Sequence, residues 1–357
     1  MRALLLALLL CVPVLRSAPA ADSGILLAVS TSTDARAALV QEAARLPGVL
    51  AIAEISRRQV ALVRSRAADG TVVDQAAAGY RYVLDAMAFD PPSYARLQGV
   101  PELALLQPGE AVLGESSARL RRIGIGGRLE LADGSELRVR AVVADAVILN
   151  REVAFAAPSA PGDRRQLWLR YDGPHDTFEA ALAARLPADV PLRIRALDES
   201  DFIEGYAPVL PQVRLKLALG EFAFRPTTGT SFVRDARWEA NNLVTAEVPL
   251  LGRVRCHRLL VPALRSAMQE LIDKDLAQLI APKAFQGCDN PRLIGEGRSL
   301  SRHAWGAAVD LNYSNDRVIR ANASDPRLVA IMGKWGFLSG HLFGDPGHFE
   351  YAGAPAL

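Results

Sequence analysis

A strand–helix–strand pattern occurs twice in the first 200 residues, and it constrains the fold more than any other feature. Each copy has an apolar run, an amphipathic segment that opens near an Asp, and a second apolar run after a Pro-marked turn. The first copy covers residues 25–30, 34–46 and 49–55, and the second covers 166–171, 176–186 and 191–197. Two such units predict a ferredoxin-like split βαβ layer, an arrangement of the α+β class.

A glycine-punctuated stretch at residues 109–145 lies between the two copies. Its segments 129–131 and 137–143 alternate apolar and polar residues, as half-buried strands do. We therefore predict a small β-rich insertion within an N-terminal α+β domain at residues 22–200. The glycines at 124, 126 and 127 are not a dinucleotide fingerprint, because they precede a strand instead of following one.

The first 20 residues have the pattern of a secretory signal peptide. Arg2 precedes an apolar run at residues 3–15, and Ala18 and Ala20 form a small-x-small cleavage site. The run is shorter than the roughly 20 residues that span a bilayer, and Pro13 interrupts it. We expect residues 1–20 to be removed and the mature protein to be exported; an uncleaved membrane anchor is the alternative.

Length and charge limit the classes of function that this chain can have. A chain of 357 residues, half of them apolar, is enough for about two packed domains. The formal net charge is only +2, whereas a nucleic-acid-binding protein needs a strongly basic face. We expect no nucleic-acid partner.

A third segment, residues 201–255, is broken by Pro208, Pro211 and Pro226 and by a Thr-Thr-Gly-Thr run, which predicts a linker or docking segment. Beyond it, residues 259–280 carry apolar side chains at helical spacing and stop before Pro282. That helix would open a C-terminal domain at residues 256–357.

Two cysteines remain after the expected cleavage, Cys256 and Cys288. An even number of cysteines in an oxidising compartment favours one disulfide. Two unrelated buried thiols are the alternative, because a sequence does not give the separation of two Cα atoms.

Three of the five histidines fall within residues 303–348, in a chain that is otherwise poor in histidine. Two of them, His303 and His348, accompany Asp310 in the motifs Ser-Arg-His-Ala-Trp-Gly-Ala-Ala-Val-Asp and Asp-Pro-Gly-His-Phe-Glu. Nitrogen and carboxylate ligands suit one Zn²⁺ ion, and three protein ligands leave the open position typical of a catalytic site. We predict His303, Asp310 and His348 as the zinc ligands.

Two carboxylates accompany the second motif. Asp345 lies three residues before His348, where a tight turn would let it take a proton from the attacking water and pass it to a leaving amine. Glu350 is expected to orient a ligand or to pair with an Arg. A zinc-free core with coincidental His and Asp residues is the alternative for the whole group.

The two motifs resemble those of the zinc D-alanyl-D-alanine carboxypeptidases of the VanY type and the related L-alanyl-D-glutamate endopeptidases. The matching positions are Ser301, His303, Gly306, Ala308 and Asp310 in the first motif, with Asp345 and His348 in the second. The resemblance implies a hedgehog/DD-peptidase-like fold, a supporting hydroxyl at Ser301 and a substrate-binding Arg upstream. Arg292 is the first choice for that Arg and Arg298 the second; a solvated loop Arg is the alternative.

The N-terminal region resembles the extracytoplasmic core domain of MacB-type transporter permeases, through residues 108–118 and 123–131. That resemblance implies a mechanical or interaction module with a membrane or protein partner.

Together with the resemblance to the VanY-type peptidases, which implies the activity and the substrate, these observations predict an exported zinc metallopeptidase that acts on peptidoglycan stem peptides. The sequence leaves open whether it is a carboxypeptidase or an endopeptidase. Two other classes stay open: a non-catalytic, zinc-containing cell-wall binding or sensor protein, and an accessory subunit of an export complex.

Overall fold

The computed structural model describes residues 25–30, 36–157, 164–187, 190, 192–196, 210–294 and 299–352. The predicted signal peptide and Arg298 lie outside the described residues. The chain is a mixed α+β protein, as predicted, and the strands of its N-terminal part form one large sheet.

The N-terminal part alternates strands with short helices. The elements are β1 Ile25–Ser30, α1 Arg36–Ala44, β2 Val49–Arg66, β3 Val72–Gln75, β4 Tyr82–Phe89, α2 Pro91–Gln98, β5 Glu110–Gly114, α3 Glu115–Arg121, β6 Arg128–Leu131, β7 Glu136–Val143, β8 Val153–Ala156, β9 Arg164–Tyr171, α4 His175–Ala183 and β10 Arg193–Ala196. Both predicted strand–helix–strand units are present, as β1–α1–β2 and β9–α4–β10.

These two units interleave in one antiparallel layer. The strand order is β10–β1–β9–β2, and each neighbouring pair is antiparallel. Leu39 of α1 and Phe178 of α4 are fully buried, and they pack with Leu167 and Leu169 of β9 in one core cluster. The apolar faces of the two helices therefore cover this layer.

A closed six-stranded barrel follows from the unusual length of β2. This strand continues past the predicted end at residue 55 to Arg66, pairing with β4 and then with β6. The ring runs β2–β4–β8–β5–β7–β6 and returns to β2. The predicted β-rich insertion at 109–145 covers only β5 to β7, and the barrel, which was not predicted, also includes β2, β4 and β8. Strand β4 was not predicted from the sequence. Most of its residues are buried, so it lacks the polar–apolar alternation of a half-buried strand.

The C-terminal part begins within the segment predicted as a linker, which contains regular elements. The elements are α5 Gln212–Leu219, β11 Phe224–Pro226, β12 Phe232–Arg234, α6 Ala236–Asn242, β13 Leu243–Val248, β14 Gly252–His257, α7 Leu260–Asp273, β15 Leu293–Ile294, β16 Ser299–Leu300, β17 Ala308–Asp310, α8 Arg317–Ala323, α9 Pro326–Lys334, β18 Phe337–Ser339 and β19 His348–Tyr351.

Helix α7 ends earlier than its apolar pattern predicts. It stops at Asp273, and the chain then turns through Asp275, which has a φ of 54°. Residues Ala277–Leu279 form a separate 3₁₀ turn. The apolar spacing continues across this break because Leu271, Leu279 and Ile280 all enter the same core cluster.

A three-stranded antiparallel sheet carries the C-terminal motifs. Its order is β17–β19–β18, with Phe349 of β19 and Val309 of β17 buried beneath it. The helices α7 and α9 contribute Leu264, Met268 and Met332 to the same core.

Within the described chain, no helix combines the length and the apolar character that crossing a membrane requires.

Candidate metal centre

Strand pairing brings together two of the three predicted ligands. In the antiparallel pair β17–β19, Asp310 lies directly opposite His348. His303 reaches them from the 3₁₀ turn Arg302–Trp305, which ends at Gly306 in the left-handed conformation (φ 62°). A Cβ at Gly306 would lie 2.9 Å from the backbone nitrogen of His257, so glycine is required for this close turn.

The three donor atoms form a compact triangle. His303 Nε2 lies 3.2 Å from Asp310 Oδ1 and 3.3 Å from His348 Nδ1, and His348 Nδ1 lies 2.9 Å from Asp310 Oδ1. Zinc–ligand bonds of about 2.0 Å in a tetrahedron place neighbouring donors about 3.3 Å apart. This His/Asp group therefore has the donors and the spacing to hold a metal ion.

The other nitrogen of each histidine ring also has a partner. His303 Nδ1 lies 3.0 Å from the carbonyl oxygen of Cys288, and His348 Nε2 lies 3.3 Å from Glu350 Oε1. Glu350 in turn lies 3.5 Å from Arg302 Nε. If these outer ring nitrogens donate, His303 Nε2 and His348 Nδ1 are the ring atoms that would bind a metal ion at the centre.

The electrostatics of the group favour a charged carboxylate. Burial by itself would raise the pKa of the Asp310 carboxyl, but the hydrogen bonds to His303 and His348 outweigh it and lower the pKa. Burial also opposes protonation of His348, yet its bonds to Asp310 and Glu350 raise its pKa to about 9. Asp310 is therefore ionised at neutral pH and, without a metal ion, it pairs with a protonated His348, whose Nδ1 proton a metal ion would displace.

Gly347, just before β19, permits the close approach of Leu311, just after β17. Its φ is 104°, and a Cβ there would lie 2.4 Å from the carbonyl oxygen of Leu311. The Leu311 amide donates to the Gly347 carbonyl over 2.8 Å. Any larger residue at 347 would push β17 from β19 and separate Asp310 from His348.

Asp345 lies on the turn before β19, outside the ligand triangle. Its backbone is fixed, because its amide donates to Gly340 and its carbonyl accepts from the His348 amide. Its carboxylate is exposed, and in the described part of the chain it has no hydrogen bond or ion pair. Asp345 lines a cleft of about 410 Å³ whose wall also includes Asn312, two residues after Asp310.

The structure places Arg292 and Ser301 next to each other, just before the His303 turn. The Ser301 amide donates to the Arg292 carbonyl over 3.1 Å, and Ser301 is buried. Arg292 is half-buried, and its guanidinium has no ion pair with the described residues. Arg298, the second candidate, lies outside them.

The predicted disulfide between Cys256 and Cys288 is confirmed. It joins β14 to the segment that precedes β15, and both cysteines are fully buried. Since the Cys288 carbonyl contacts His303, the disulfide fixes the residue that orients this ligand.

Sequence reasoning missed Arg234, which stabilises the His303 turn from outside the motifs. Its fully buried guanidinium donates to the Ala304 carbonyl over 2.8 Å and pairs with Asp289 and Glu239. It also missed Arg302, the partner of Glu350. Arg302 could have been predicted, because it is a basic residue directly beside a predicted ligand. Arg234 could not, because it lies about 70 positions from Ala304 in the sequence.

Comparison with the models of known protein families gave no match, and neither did comparison with curated proteins.

Proposed function

We propose that this protein is a zinc metallopeptidase. The observation that carries the proposal is the triangle of His303 Nε2, Asp310 Oδ1 and His348 Nδ1, with edges of 2.9–3.3 Å. Two imidazoles and one carboxylate suit Zn²⁺, and three ligands leave a coordination position for a substrate or water. A structural zinc site is more often closed by four ligands, commonly Cys, whereas Cys256 and Cys288 here form a disulfide.

A bound zinc ion would supply Lewis acidity, polarising a carbonyl and making water more acidic. Asp345 would accept the proton of the attacking water and pass it to the leaving amine, since its exposed carboxylate precedes His348 on a fixed turn. Arg292 would hold a substrate carboxylate or the developing oxyanion with its planar guanidinium. Glu350 would keep the His348 ring in position.

The substrate assignment rests on the resemblance of the two motifs to those of the VanY-type peptidases, which supports peptidoglycan stem peptides. On the same ground we assign the C-terminal part to the hedgehog/DD-peptidase fold. The antiparallel order β10–β1–β9–β2 supports a ferredoxin-like layer at the N-terminus. Export, with residues 1–20 as signal peptide, is part of the proposal, because a confirmed disulfide suits an oxidising compartment.

The decisive experiment is incubation of the purified protein with defined muropeptides, with and without a zinc chelator, followed by mass analysis. Chelator-sensitive loss of a terminal D-Ala would identify a carboxypeptidase, and an internal cut would identify an endopeptidase. If zinc is bound and no muropeptide is cleaved, the peptidase proposal is wrong and a binding or sensor protein replaces it.

Two substitutions separate proton transfer from metal binding. We expect Asp345→Asn to lower kcat about 100- to 10,000-fold while zinc stays bound, because general acid–base groups contribute rate accelerations of that size. Asp310→Asn should lose both zinc and activity, since it removes a ligand. Metal content and steady-state rates are measured on both variants. Unchanged turnover in Asp345→Asn would eliminate this residue as the base.

A further inference from the structure

The cleft beside Asp345 contains a cation that the proposed reaction does not use. The cleft has a volume of about 410 Å³, and its charged lining residues are Asp345 and Arg320. The neutral lining residues include Gln286, Tyr313 and Asn315. Among the described residues, Arg320 is therefore the one cationic side chain of this cleft.

Arg320 is available to a ligand. It lies on α8, and its side chain is exposed and makes no ion pair or hydrogen bond with the described residues. The helix is anchored independently of that side chain, because Asp316 accepts hydrogen bonds from Val318 and Ile319 at its first turn. The guanidinium is thus held on a fixed element without being neutralised.

The cleft adjoins the candidate centre through both ligand strands. Asn312 lies two residues after Asp310, and Pro346 lies two residues before His348. Gln286 lies against β17, because its backbone amide donates to the Asp310 carbonyl over 3.0 Å. A peptide that reaches Asp345 along this cleft would therefore also reach Arg320.

We propose that Arg320 is a specificity-determining residue that binds a free carboxylate of the peptide substrate. This inference rests on the proposed peptidase function and names the part of the substrate that the cleft recognises. The matching groups on a stem peptide are the α-carboxylate of a γ-linked D-Glu residue and the C-terminal carboxylate. A planar guanidinium binds either through two parallel hydrogen bonds.

The test uses the pentapeptide L-Ala-γ-D-Glu-L-Lys-D-Ala-D-Ala and two analogues, one amidated at the D-Glu α-carboxylate and one at the C-terminus. Binding is measured by calorimetry on the full chain after zinc removal, and KM and kcat are measured on the zinc-loaded protein. The variants are Arg320→Gln and Arg320→Lys. Arg317→Gln is the matched control, because Arg317 is an exposed cation on the same helix outside the cleft.

We expect Arg320→Gln to raise the Kd and KM for the pentapeptide about 10- to 100-fold with little change in kcat, the range of a lost charge-assisted contact. Arg320→Lys should recover part of this loss, and Arg317→Gln should cause none. Wild type and Arg320→Gln should bind one of the two amidated analogues with equal affinity. The carboxylate that is amidated in that analogue is the one that Arg320 binds.

Two outcomes would overturn the assignment: equal affinities of wild type and Arg320→Gln for all three peptides, or an equal loss in Arg317→Gln. Failure of the peptidase proposal can be distinguished from failure of the Arg320 assignment. In that case no peptide is cleaved, yet the metal-free protein still binds the pentapeptide through Arg320. If no peptide is bound or cleaved, both proposals are wrong.

Discussion

A single carboxylate, Glu350, connects the candidate ligand His348 to the cation Arg302. It lies 3.3 Å from His348 Nε2 and 3.5 Å from Arg302 Nε. Arg302 also donates to the Leu210 carbonyl over 2.6 Å, so the network is anchored outside the motifs. This network orients the His348 imidazole, so that Nδ1 faces the centre and the ring has little freedom to rotate.

Replacing Glu350 by Gln should therefore weaken zinc binding about 10- to 100-fold, the usual loss for a partner behind a metal-bound histidine. The measurement is competition with a chromophoric chelator at fixed pH. Glu247→Gln is a suitable control, because Glu247 is exposed on β13. Equal zinc affinity in Glu350→Gln and wild type would show that Glu350 does not hold the ring.

The candidate ligands could be predicted from the sequence because their motifs are local. His303 and Asp310 are seven residues apart, and Gly306 between them is needed for a close turn. Long-range partners could not be predicted in the same way. The contacts of His303 with Cys288, and of Arg234 with Ala304, depend on how separate segments meet in the fold.

At the scale of elements, α7 and α9 are joined by a buried carboxylate, Glu270. It accepts hydrogen bonds from Lys334 over 2.7 Å and from the Trp335 indole over 2.8 Å, and Lys274 lies 2.8 Å from its other oxygen. The bonds from Lys274 and Lys334 lower the pKa of Glu270 from 4.5 to about 2. These helices support the sheet that carries Asp310 and His348.

This shift makes stability depend on pH. A depressed folded-state pKa stabilises the protein above the unfolded value near 4.5, and that contribution is lost as the pH falls toward 2. We expect Glu270→Gln to lose about 1–2 kcal/mol at pH 7, a figure reduced for the exposure of both ammonium groups. Denaturant unfolding at several pH values measures it.

The loss should shrink below pH 4, where the wild-type carboxylate also becomes protonated. Asp273→Asn, at the exposed end of α7, is the control and should change stability by less than about 0.5 kcal/mol. A pH-independent loss in Glu270→Gln would mean that the side chain acts through packing alone.

Local periodicity predicted the elements of the N-terminal layer, because α1 and α4 each bury one face. It did not predict the closure of the barrel, which depends on the single strand β2 pairing at different points with β9, β4 and β6. Hydrophobic patterning indicates where a strand lies but not how many partners it has. The early end of α7 was missed for a related reason, since burial continues past the end of the helix.

At the scale of the whole molecule, a buried cluster of charges joins the barrel to the C-terminal part. Lys216 of α5 contacts Glu152 next to β8 and Glu221 after α5, at 2.8 and 2.7 Å. Arg121 of α3 is fully buried and pairs with Glu221. The residue before Glu221 contacts the turn that carries His303: the Gly220 carbonyl accepts a hydrogen bond from the Trp305 indole over 3.1 Å.

Lys216→Met should destabilise the protein by about 3–5 kcal/mol, because it leaves buried carboxylates without one of their cations. Thermal and denaturant unfolding followed by tryptophan fluorescence would measure this. Arg214→Gln is the control on the same helix, since the Arg214 side chain is half exposed and its one ion pair with the described residues is to Asp145 at 3.4 Å. A change below 1 kcal/mol in Lys216→Met would show that the cluster does not hold the two parts together.

Closure of the barrel also limits the backbone edge that the large sheet offers to another chain. A sheet of ten strands has a long backbone edge when open, and such an edge pairs readily with a second chain. Here the ring uses both sides of each of its strands, and the described outer edges of the sheet are β10 and β3. Each has only four residues, and β10 contains two arginines, a composition that opposes intermolecular strand pairing. Closure of the barrel thereby removes most of the backbone edge that this sheet could offer to a second chain.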